Sequence, residues 1–319
     1  MKLQTQIPLT KAHDPLDYES SILMLGSCFS EHIGKKLNFF KFASFQNPFG
    51  ILFHPLAVET LLEKVVQKKE YTSKDVFEHE GAWRCFDAHS RLNQLSSELL
   101  VDRLNQGLEH THAFLQNATH ICITLGTAWV HQHPSREKPV ANCHKIPQDQ
   151  FIKRLLSPDE LSKSLENCIK LVGSFGKSPQ IIFTISPVRH IKDGFVENQN
   201  SKAHLLTALH QVLSLDASKG ATYFPSYEIV MDELRDYRFY EKDMVHPNTM
   251  AVDYIWEKFR YAWISESAYP VMERVETIQK ALAHKPFNPD SEAHKRFLKE
   301  VQTKIEYLQE SNPTINFDR

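Results

Sequence analysis

The sequence predicts an α/β protein whose central sheet is mostly parallel and covered by helices on both faces. Three apolar runs, at residues 22–25, 121–125 and 181–185, are continuously hydrophobic rather than alternating, which is typical of strands buried on both sides. Each run ends at small residues or proline, and a segment with helical spacing follows further on. Strands that alternate with helices favour parallel pairing, so we expect a three-layer sandwich.

The predicted elements follow one another in this order. The first strand covers residues 21–29 and the first helix residues 31–40, where Ile33, Leu37 and Phe40 share one face. The remaining strands are predicted at residues 120–130, 180–190 and 221–225, and the remaining helices at 56–68, 92–116, 149–172, 201–215, 227–240 and 249–265.

The connecting segments are predicted from proline, glycine and polar content. Residues 47–55 hold two prolines and one glycine, so they should form a loop that closes back toward the end of the first strand. Residues 70–90 are predicted to be irregular, and residues 131–147 and 191–200 to be polar loops. Residues 1–20 are expected to form a lead-in that pairs at an edge.

The end of the chain carries no strand pattern. Beyond Pro270 the sequence predicts two helices, at residues 271–284 and 290–310. We therefore divide the chain into a main domain of residues 1–264 and a C-terminal helical extension of residues 265–319.

Composition excludes several classes of protein. The 319 residues are 41% hydrophobic with a formal net charge of -2, which disfavours nucleic acid as a partner. The sequence has no apolar run of membrane-spanning length, and its first six residues are too polar for a secretory signal. We therefore expect a cytoplasmic protein without a membrane partner. Five scattered cysteines indicate reduced thiols, with no disulfide framework or zinc site, and no cofactor is indicated.

Ser27 is the candidate nucleophile. It follows the first strand and precedes the first helix, and in an open α/β sheet ligands bind at the carboxyl ends of the strands. A serine at such a turn lies near free backbone N–H groups, which can stabilise a developing negative charge. Taken alone, Gly26-Ser27 is also what a simple turn with a helix cap would look like.

Asp243 and His246 are the candidate acid and base that would serve this serine. Pro247 disfavours helical geometry at His246, and Asn248 can cap the helix that follows. A carboxylate three residues before a histidine can accept its Nδ1 proton, as a serine nucleophile requires of its base. Such a pair is common on protein surfaces, and its position after the last strand of the same sheet favours the functional interpretation.

These residues resemble those of a known family. Gly26-Ser27-Cys28-Phe29-Ser30 resembles the signature of the GSCFA-domain proteins, with Ser30 where that name has alanine, and the order of Ser27, Asp243 and His246 resembles the SGNH/GDSL hydrolase superfamily. The resemblance also covers Asn47–Gly50, His89–Arg91, Leu125–Trp129, Asn142–Lys145, Ser186–His190 and Asp243–Asn248.

The resemblance implies an SGNH/flavodoxin-like sandwich and a Ser27, His246, Asp243 triad. It also implies an oxyanion hole built from the serine's own amide, a glycine amide after the second strand and an asparagine side chain after the third. Gly50 matches the glycine.

The asparagine has no counterpart in the block Gly126-Thr127-Ala128-Trp129. Asn47, Asn142 or Thr127 is the expected replacement, and losing such a donor costs about 2.7–4 kcal/mol of transition-state stabilisation. His190 is a further candidate for substrate binding, with a structural, hydrogen-bonded histidine as the alternative.

Three functions fit these residues. The first is a serine esterase that cleaves an ester of a small molecule or carbohydrate, such as an O-acetyl group, through an acyl-enzyme. The second is an acyltransferase with the same triad, and the third is a non-catalytic carbohydrate-binding module on the hydrolase scaffold, which the absent asparagine favours. Around the loop after the third strand, Arg189, Asp193 and Lys202 could bind a polar or anionic substrate or could be solvated charges.

Overall fold

A five-stranded parallel sheet forms the centre of the protein. The computed structural model describes residues 4–317, so the first three residues of the predicted lead-in and the last two of the predicted extension lie outside it. The strands are β1 (Ser21–Gly26), β2 (Ala43–Gln46), β3 (Phe77–His79), β4 (Ala82–Arg84), β5 (His120–Leu125), β6 (Trp129–Gln132), β7 (Ile152–Leu155), β8 (Gln180–Ile185) and β9 (Ala221–Phe224). The central sheet has the order β2-β1-β5-β8-β9, and β3-β4 and β6-β7 form two antiparallel pairs.

Helices cover both faces of this sheet. The α-helices of the described residues are α1 (Cys28–Phe39), α2 (Pro55–Gln67), α3 (Ser97–Leu115), α4 (Pro158–Gly173), α5 (Phe195–Leu213), α6 (Ser226–Glu228), α7 (Thr249–Trp263), α8 (Tyr269–Leu282) and α9 (Glu292–Ser311). Within residues 4–317, none of the helices has the length and apolar character needed to cross a membrane.

Each face of the sheet has its own hydrophobic core. Leu23 and Leu25 of β1 pack into one cluster with α2, α3, α4 and α5, whereas Ile22 and Met24 pack into another with α1 and α7. Successive residues of a strand point to opposite faces, so a strand that is buried on both sides reads as continuously apolar. The predicted α/β class, with a parallel central sheet between helical layers and a C-terminal helical region, is confirmed.

Several predicted boundaries are wrong where tertiary pairing overrides the local pattern. Residues 149–172 are not one helix, because Ile152–Leu155 pairs with Trp129–Gln132 as β7. The helix begins only at Pro158, where Ser157 and Glu160 form a capping box. Strand β2 was missed because it is a short edge strand with no fully buried residue.

Other segments are more regular than predicted, and some are shorter. Helix α5 already begins at Phe195 in the predicted loop 191–200, and the irregular segment 70–90 contains the β3-β4 hairpin. The helix predicted at 92–116 begins at Ser97, and the segment 227–240 holds only α6, one π-helical turn and one 3₁₀ turn. The predicted strands at 21–29, 120–130 and 180–190 end at Gly26, Leu125 and Ile185.

The two ends of the chain pack against the main sheet domain. Leu16 in the lead-in forms a parallel bridge with Ile264 after α7 rather than with a sheet edge. Met272, Val275 and Ile278 of α8 are buried in the same cluster as α1 and α7. Residues after 264 therefore share a hydrophobic core with the residues before it.

Gly26 ends β1 by a backbone approach that excludes any side chain. Its φ is +114°, and a Cβ atom built there would lie 2.1 Å from the carbonyl oxygen of Thr124. The Gly26 amide donates to Asn47 Oδ1 (2.9 Å), and its carbonyl accepts from the amide of Leu52 (3.0 Å). These bonds hold the loop 47–55 against the end of β1, as the sequence predicts.

We expect Gly26→Ala to destabilise the fold severely, because the clash is with the backbone of the neighbouring strand. Gly81 also has a positive φ (+71°) but has open space around it, so Gly81→Ala is the matched control. Urea denaturation should show a loss of more than about 4 kcal/mol for Gly26→Ala and of about 1–2 kcal/mol for Gly81→Ala. Equal losses for the two variants would contradict the role assigned to the close approach.

Candidate active site

Ser27 lies at the junction between β1 and α1, and its hydroxyl is unpaired. The residue is at the N-cap position of α1 but makes no capping hydrogen bond, although serine usually does so there. Its side chain is 1% exposed, and Oγ has no hydrogen-bond partner within the described part of the chain. Buried hydroxyls are normally paired, so an unpaired one at the carboxyl end of a strand marks a position where chemistry is plausible.

Asn47 presents a second unpaired polar group beside this serine. Its Oδ1 accepts from the amide of Gly26, the residue before Ser27 (2.9 Å), whereas its Nδ2 is buried without an acceptor among residues 4–317. A side-chain amide fixed through its oxygen and free at its nitrogen is a preorganised hydrogen-bond donor. Of the residues considered as replacements for the absent asparagine, Asn47 has the geometry that suits the role.

The other predicted oxyanion donors are occupied. The amide of Ser27 donates to Thr124 O (3.1 Å), and the amide of Gly50 closes a turn onto Asn47 O (2.7 Å). Thr127 donates its amide to the carbonyl of Phe53 (3.0 Å), and its hydroxyl bonds with the hydroxyl of Ser201 (3.1 Å). At the start of α1 the amides of Cys28 and Phe29 have no carbonyl acceptor in a preceding turn, as at any helix N-terminus, and they lie close enough to the Cys28 thiol to lower its pKa against the larger effect of burial.

Asn142 is engaged within its own loop. Its Oδ1 accepts from the amide of His144 (2.7 Å), and the ring of His144 bonds the carbonyl of Cys85 (2.7 Å). The pKa of His144 is lowered to about 4, mainly because of burial. His144 therefore has a structural role, and Asn142 supports its loop. A role for Gly50, Thr127 or Asn142 in binding substrate stays a prediction.

Asp243 and His246 form a hydrogen-bonded pair on a tightly folded loop. His246 Nδ1 lies 2.7 Å from Asp243 Oδ2, and Asp243 Oδ1 accepts from the amides of Val245 and His246 (2.9 Å each). The backbone hydrogen bonds from His246 and Val245, and then the bond to the imidazole, lower the pKa of Asp243 to about 2. Asn248 caps α7 by accepting from the amide of Ala251 (3.1 Å), as predicted. Above about pH 3 the carboxylate is therefore ionised and accepts a hydrogen bond from Nδ1 of His246.

The structure brings this pair to the same edge of the sheet as Ser27. Cys28, next to Ser27, and Pro247, next to His246, line one small cavity of about 10 Å³. His32 on α1 lies close enough to His246 for the imidazole to lower its pKa, although burial is the main cause of that shift. The hydroxyl of Ser27 and the imidazole of His246 are not hydrogen bonded to each other. Catalytic pairs are often long in unliganded proteins and tighten when substrate binds.

Lys202 is a buried lysine beneath this edge. Its side chain is 0% exposed, and Nζ donates to the carbonyls of Gly126 and Ser186 (2.7 Å each), which follow β5 and β8. Burial lowers its pKa to about 7, while the nearby Cys28 thiol raises it and Arg189 lowers it. The sequence indicated this burial, because Lys202 lies three and seven residues before Leu205 and Leu209 on the apolar face of α5. Of the two expectations for Lys202, the solvated charge is wrong because the side chain is buried, and substrate binding stays a prediction.

His190 packs against Gly126, in the loop that follows β5. A Cβ atom on Gly126 would lie 3.3 Å from His190 Nε2, and the ring packs edge-on against Phe53 at 5.3 Å. Burial, and next the charge of Lys202, lower the pKa of His190 to about 4, so the ring is neutral at physiological pH. A neutral imidazole at this position can donate or accept a hydrogen bond, and its role in substrate binding stays a prediction.

Two further candidate residues, Asp193 and Cys28, have different environments. Asp193 is paired with Lys153 at 2.6 Å, and Cys28 is a half-buried thiol whose pKa is raised, mainly by burial. Among residues 4–317, no three His, Cys, Asp or Glu side chains converge in a way that could hold a metal ion.

Comparison with known proteins gives the family. The sequence model of the GSCFA family matches residues 21–259, about three quarters of the chain. The chain belongs to the GSCFA family. A second match, to the C-terminal domain of GSCFA domain proteins, covers residues 275–319. No curated protein matches the chain. Ser27, Asp243 and His246 all lie within the GSCFA match, and α9 lies within the C-terminal one.

We expect the Ser27 hydroxyl of this GSCFA protein to contribute nothing to stability, because it makes no hydrogen bond. Ser30, one turn later, is the matched control, since its hydroxyl bonds Leu25 O and Thr124 Oγ1 at 2.7 Å each. In urea denaturation Ser27→Ala should stay within about 0.5 kcal/mol of the wild type or exceed it, whereas Ser30→Ala should lose about 1–3 kcal/mol. A loss above about 1 kcal/mol for Ser27→Ala would mean that the hydroxyl has a structural partner.

We expect Lys202 to make stability rise with pH between about 7 and 10. In the folded GSCFA protein its pKa is about 7, whereas in the unfolded chain it is about 10.4. The unfolded state therefore binds more protons in this window, so that raising the pH favours folding. Urea denaturation at pH 7 and pH 10 should show the wild type gaining stability relative to Lys202→Met. A constant difference between the two proteins would show that the lysine titrates normally.

Proposed function

We propose that this protein is a serine hydrolase of the SGNH type that cleaves an ester through an acyl-enzyme. The observation that carries the proposal is the unpaired, buried hydroxyl of Ser27 at the same sheet edge as the hydrogen-bonded pair Asp243 and His246. A nucleophile at a helix N-terminus and a base oriented by a carboxylate are the parts that acyl transfer needs. Five free thiols suit the reducing cytoplasm, where we place the protein as part of this proposal.

In the proposed reaction, Ser27 Oγ attacks the ester carbonyl while His246 Nε2 takes the hydroxyl proton. The alkoxide of the tetrahedral intermediate accepts hydrogen bonds from the amides of Cys28 and Phe29 and from Asn47 Nδ2. His246 then gives its proton to the departing alcohol oxygen, leaving the acyl group on Ser27. Water repeats these steps and releases the acid, and Asp243 stabilises the imidazolium each time it forms.

Lys202 supports the same site in two ways. By binding the carbonyls after β5 and β8 it fixes the loops that border Ser27. When protonated, it also places a positive charge under the position where the oxyanion develops, and charge is worth more in a buried site than in water.

The proposal predicts covalent labelling of Ser27 by a fluorophosphonate probe, detected by mass spectrometry. Ser27→Ala should abolish both labelling and hydrolysis of 4-nitrophenyl acetate. Asp243→Asn should lower kcat by about 10²- to 10⁴-fold, because Nδ1 of His246 loses the acceptor that fixes its tautomer. Ser30→Ala, whose hydroxyl is already paired, should retain labelling.

Two results would contradict the proposal. A label that persists in Ser27→Ala and disappears in Cys28→Ala would move the nucleophile to the thiol. Failure of the folded wild type to react with the probe or to turn over any ester would favour a carbohydrate-binding module on the hydrolase scaffold.

An acyltransferase with the same triad is the second candidate, and the burial of Ser27 favours it. A hydroxyl that is 1% exposed forms an acyl-enzyme shielded from water, which lets a bound alcohol compete as acceptor. In the presence of a sugar acceptor, a transferase would release the acyl group as a new ester rather than as free acid.

A further inference from the structure

A groove adjoins the loop that carries the candidate acid and base. It has a volume of about 480 Å³, and we name it the Tyr237 groove after an aromatic residue that lines it. Its walls include Arg189, Met231, Tyr237, Tyr240, Asp243 and Met244. Tyr237 is 72% exposed and Met244 54% exposed, so the groove presents apolar and aromatic surface to a ligand.

The arginines in and around the groove are paired with carboxylates, except for Arg189. Arg235 is paired with Asp232 (2.9 Å) and Arg238 with Asp236 (2.8 Å), while Asp243 is hydrogen bonded to His246. Arg189 has no carboxylate partner among residues 4–317, and its hydrogen bond goes to the sulfur of Met231 (3.1 Å). A thioether is a weak acceptor, so this guanidinium keeps its capacity to bind an oxyanion.

Arg189 lines the groove and also lies near the buried Lys202. Its charge lowers the pKa of Tyr240 in the groove wall, against the larger effect of burial, and it lowers the pKa of Lys202 beneath the sheet edge. The next residue, His190, packs over Gly126. A ligand paired with Arg189 would therefore reach toward Ser27 and His246.

The mechanism determines which part of the substrate faces the groove. His246 protonates the departing alcohol, so the alcohol portion lies on the side of the loop that bears His246, and Asp243 and Met244 of that loop line the groove. The cavity shared by Cys28 and Pro247, about 10 Å³, has room for about one water-sized group. The Tyr237 groove is therefore the space available to the larger part of the substrate.

We propose that the Tyr237 groove binds the alcohol portion of an anionic ester, with a carboxylate paired to Arg189 and a ring packed against Tyr237 and Tyr240. This inference rests on the proposed function, because it takes the side of the leaving group from the triad mechanism. It adds a substrate class, esters whose alcohol portion is negatively charged, and a residue that selects for them.

The test compares two esters that differ in this charge. The probes are 4-acetoxybenzoate and its uncharged methyl ester, and the measured quantity is the ratio of their kcat/KM values. The wild type should favour the charged ester, and Arg189→Met should lower the ratio by about 10- to 100-fold through the KM of the charged ester. Arg189→Lys should retain part of the preference. Arg235→Met is the matched control, because Arg235 is already paired with Asp232, and its ratio should stay within about twofold of the wild type.

Two outcomes separate this inference from the proposed function. If Ser27 is labelled and both esters are cleaved, but the ratio is the same in the wild type and Arg189→Met, the groove does not select anions and the inference fails alone. If neither ester is cleaved and Ser27 is not labelled, the proposed function fails. Calorimetric titration with 4-hydroxybenzoate then tests the groove directly, and binding that is unaffected by Arg189→Met, or absent from the wild type, overturns the inference.

Discussion

The close approach of Gly26 to the backbone of Thr124 is the constraint on which the candidate site depends. Because no side chain fits between them, β1 can end against β5 and turn at once into α1, which leaves Ser27 at the helix start. The chain passes from β1 to β2 on one side and later to β5 on the other, so Ser27 lies where the order of the strands reverses. Crevices form at such points in open α/β sheets because the neighbouring connections leave on opposite faces.

Around this turn two buried polar groups lack a hydrogen-bond partner, and the same is true of single atoms of His79, His112 and His144 elsewhere in residues 4–317. Ser30 and Thr124, equally buried, bond each other, whereas Ser27 Oγ and Asn47 Nδ2 have no partner within the described residues, and Lys202 is buried as an amine with a lowered pKa. Each of these features costs folding free energy, and a fold selected only for stability would satisfy or remove them. Ser27, Asn47 and Lys202 all lie near the carboxyl ends of the central strands, and active sites commonly trade stability for preorganised polar groups.

The central strands and the hydrogen bond between Asp243 and His246 were predictable from sequence, because each depends on local pattern. Ile22 to Leu25 are continuously apolar, and Asp243 and His246 are close in the chain. The predictions that failed concern segments whose structure depends on residues distant in the sequence. Strand β7 forms because Trp129–Gln132 lies beside it, and neither segment has a strong strand pattern of its own. The choice of Asn47 over Thr127 as donor could not be made from sequence either, since it rests on which hydrogen bonds are already used.

The C-terminal helices have a structural connection to the site, even though they lie far from it in the chain. The two helices that begin at the candidate residues, α1 after Ser27 and α7 after Asn248, pack against each other, and Phe40 stacks on Trp256 at 5.6 Å. Helix α8 covers this contact, with Val275 buried in the same cluster and Gln279 Nε2 donating to Phe39 O (2.9 Å). A shift of α7 relative to α1 would change the separation of His246 and Ser27 directly. The C-terminal region therefore contributes to the geometry of the site by fixing the far ends of the two helices that position its residues.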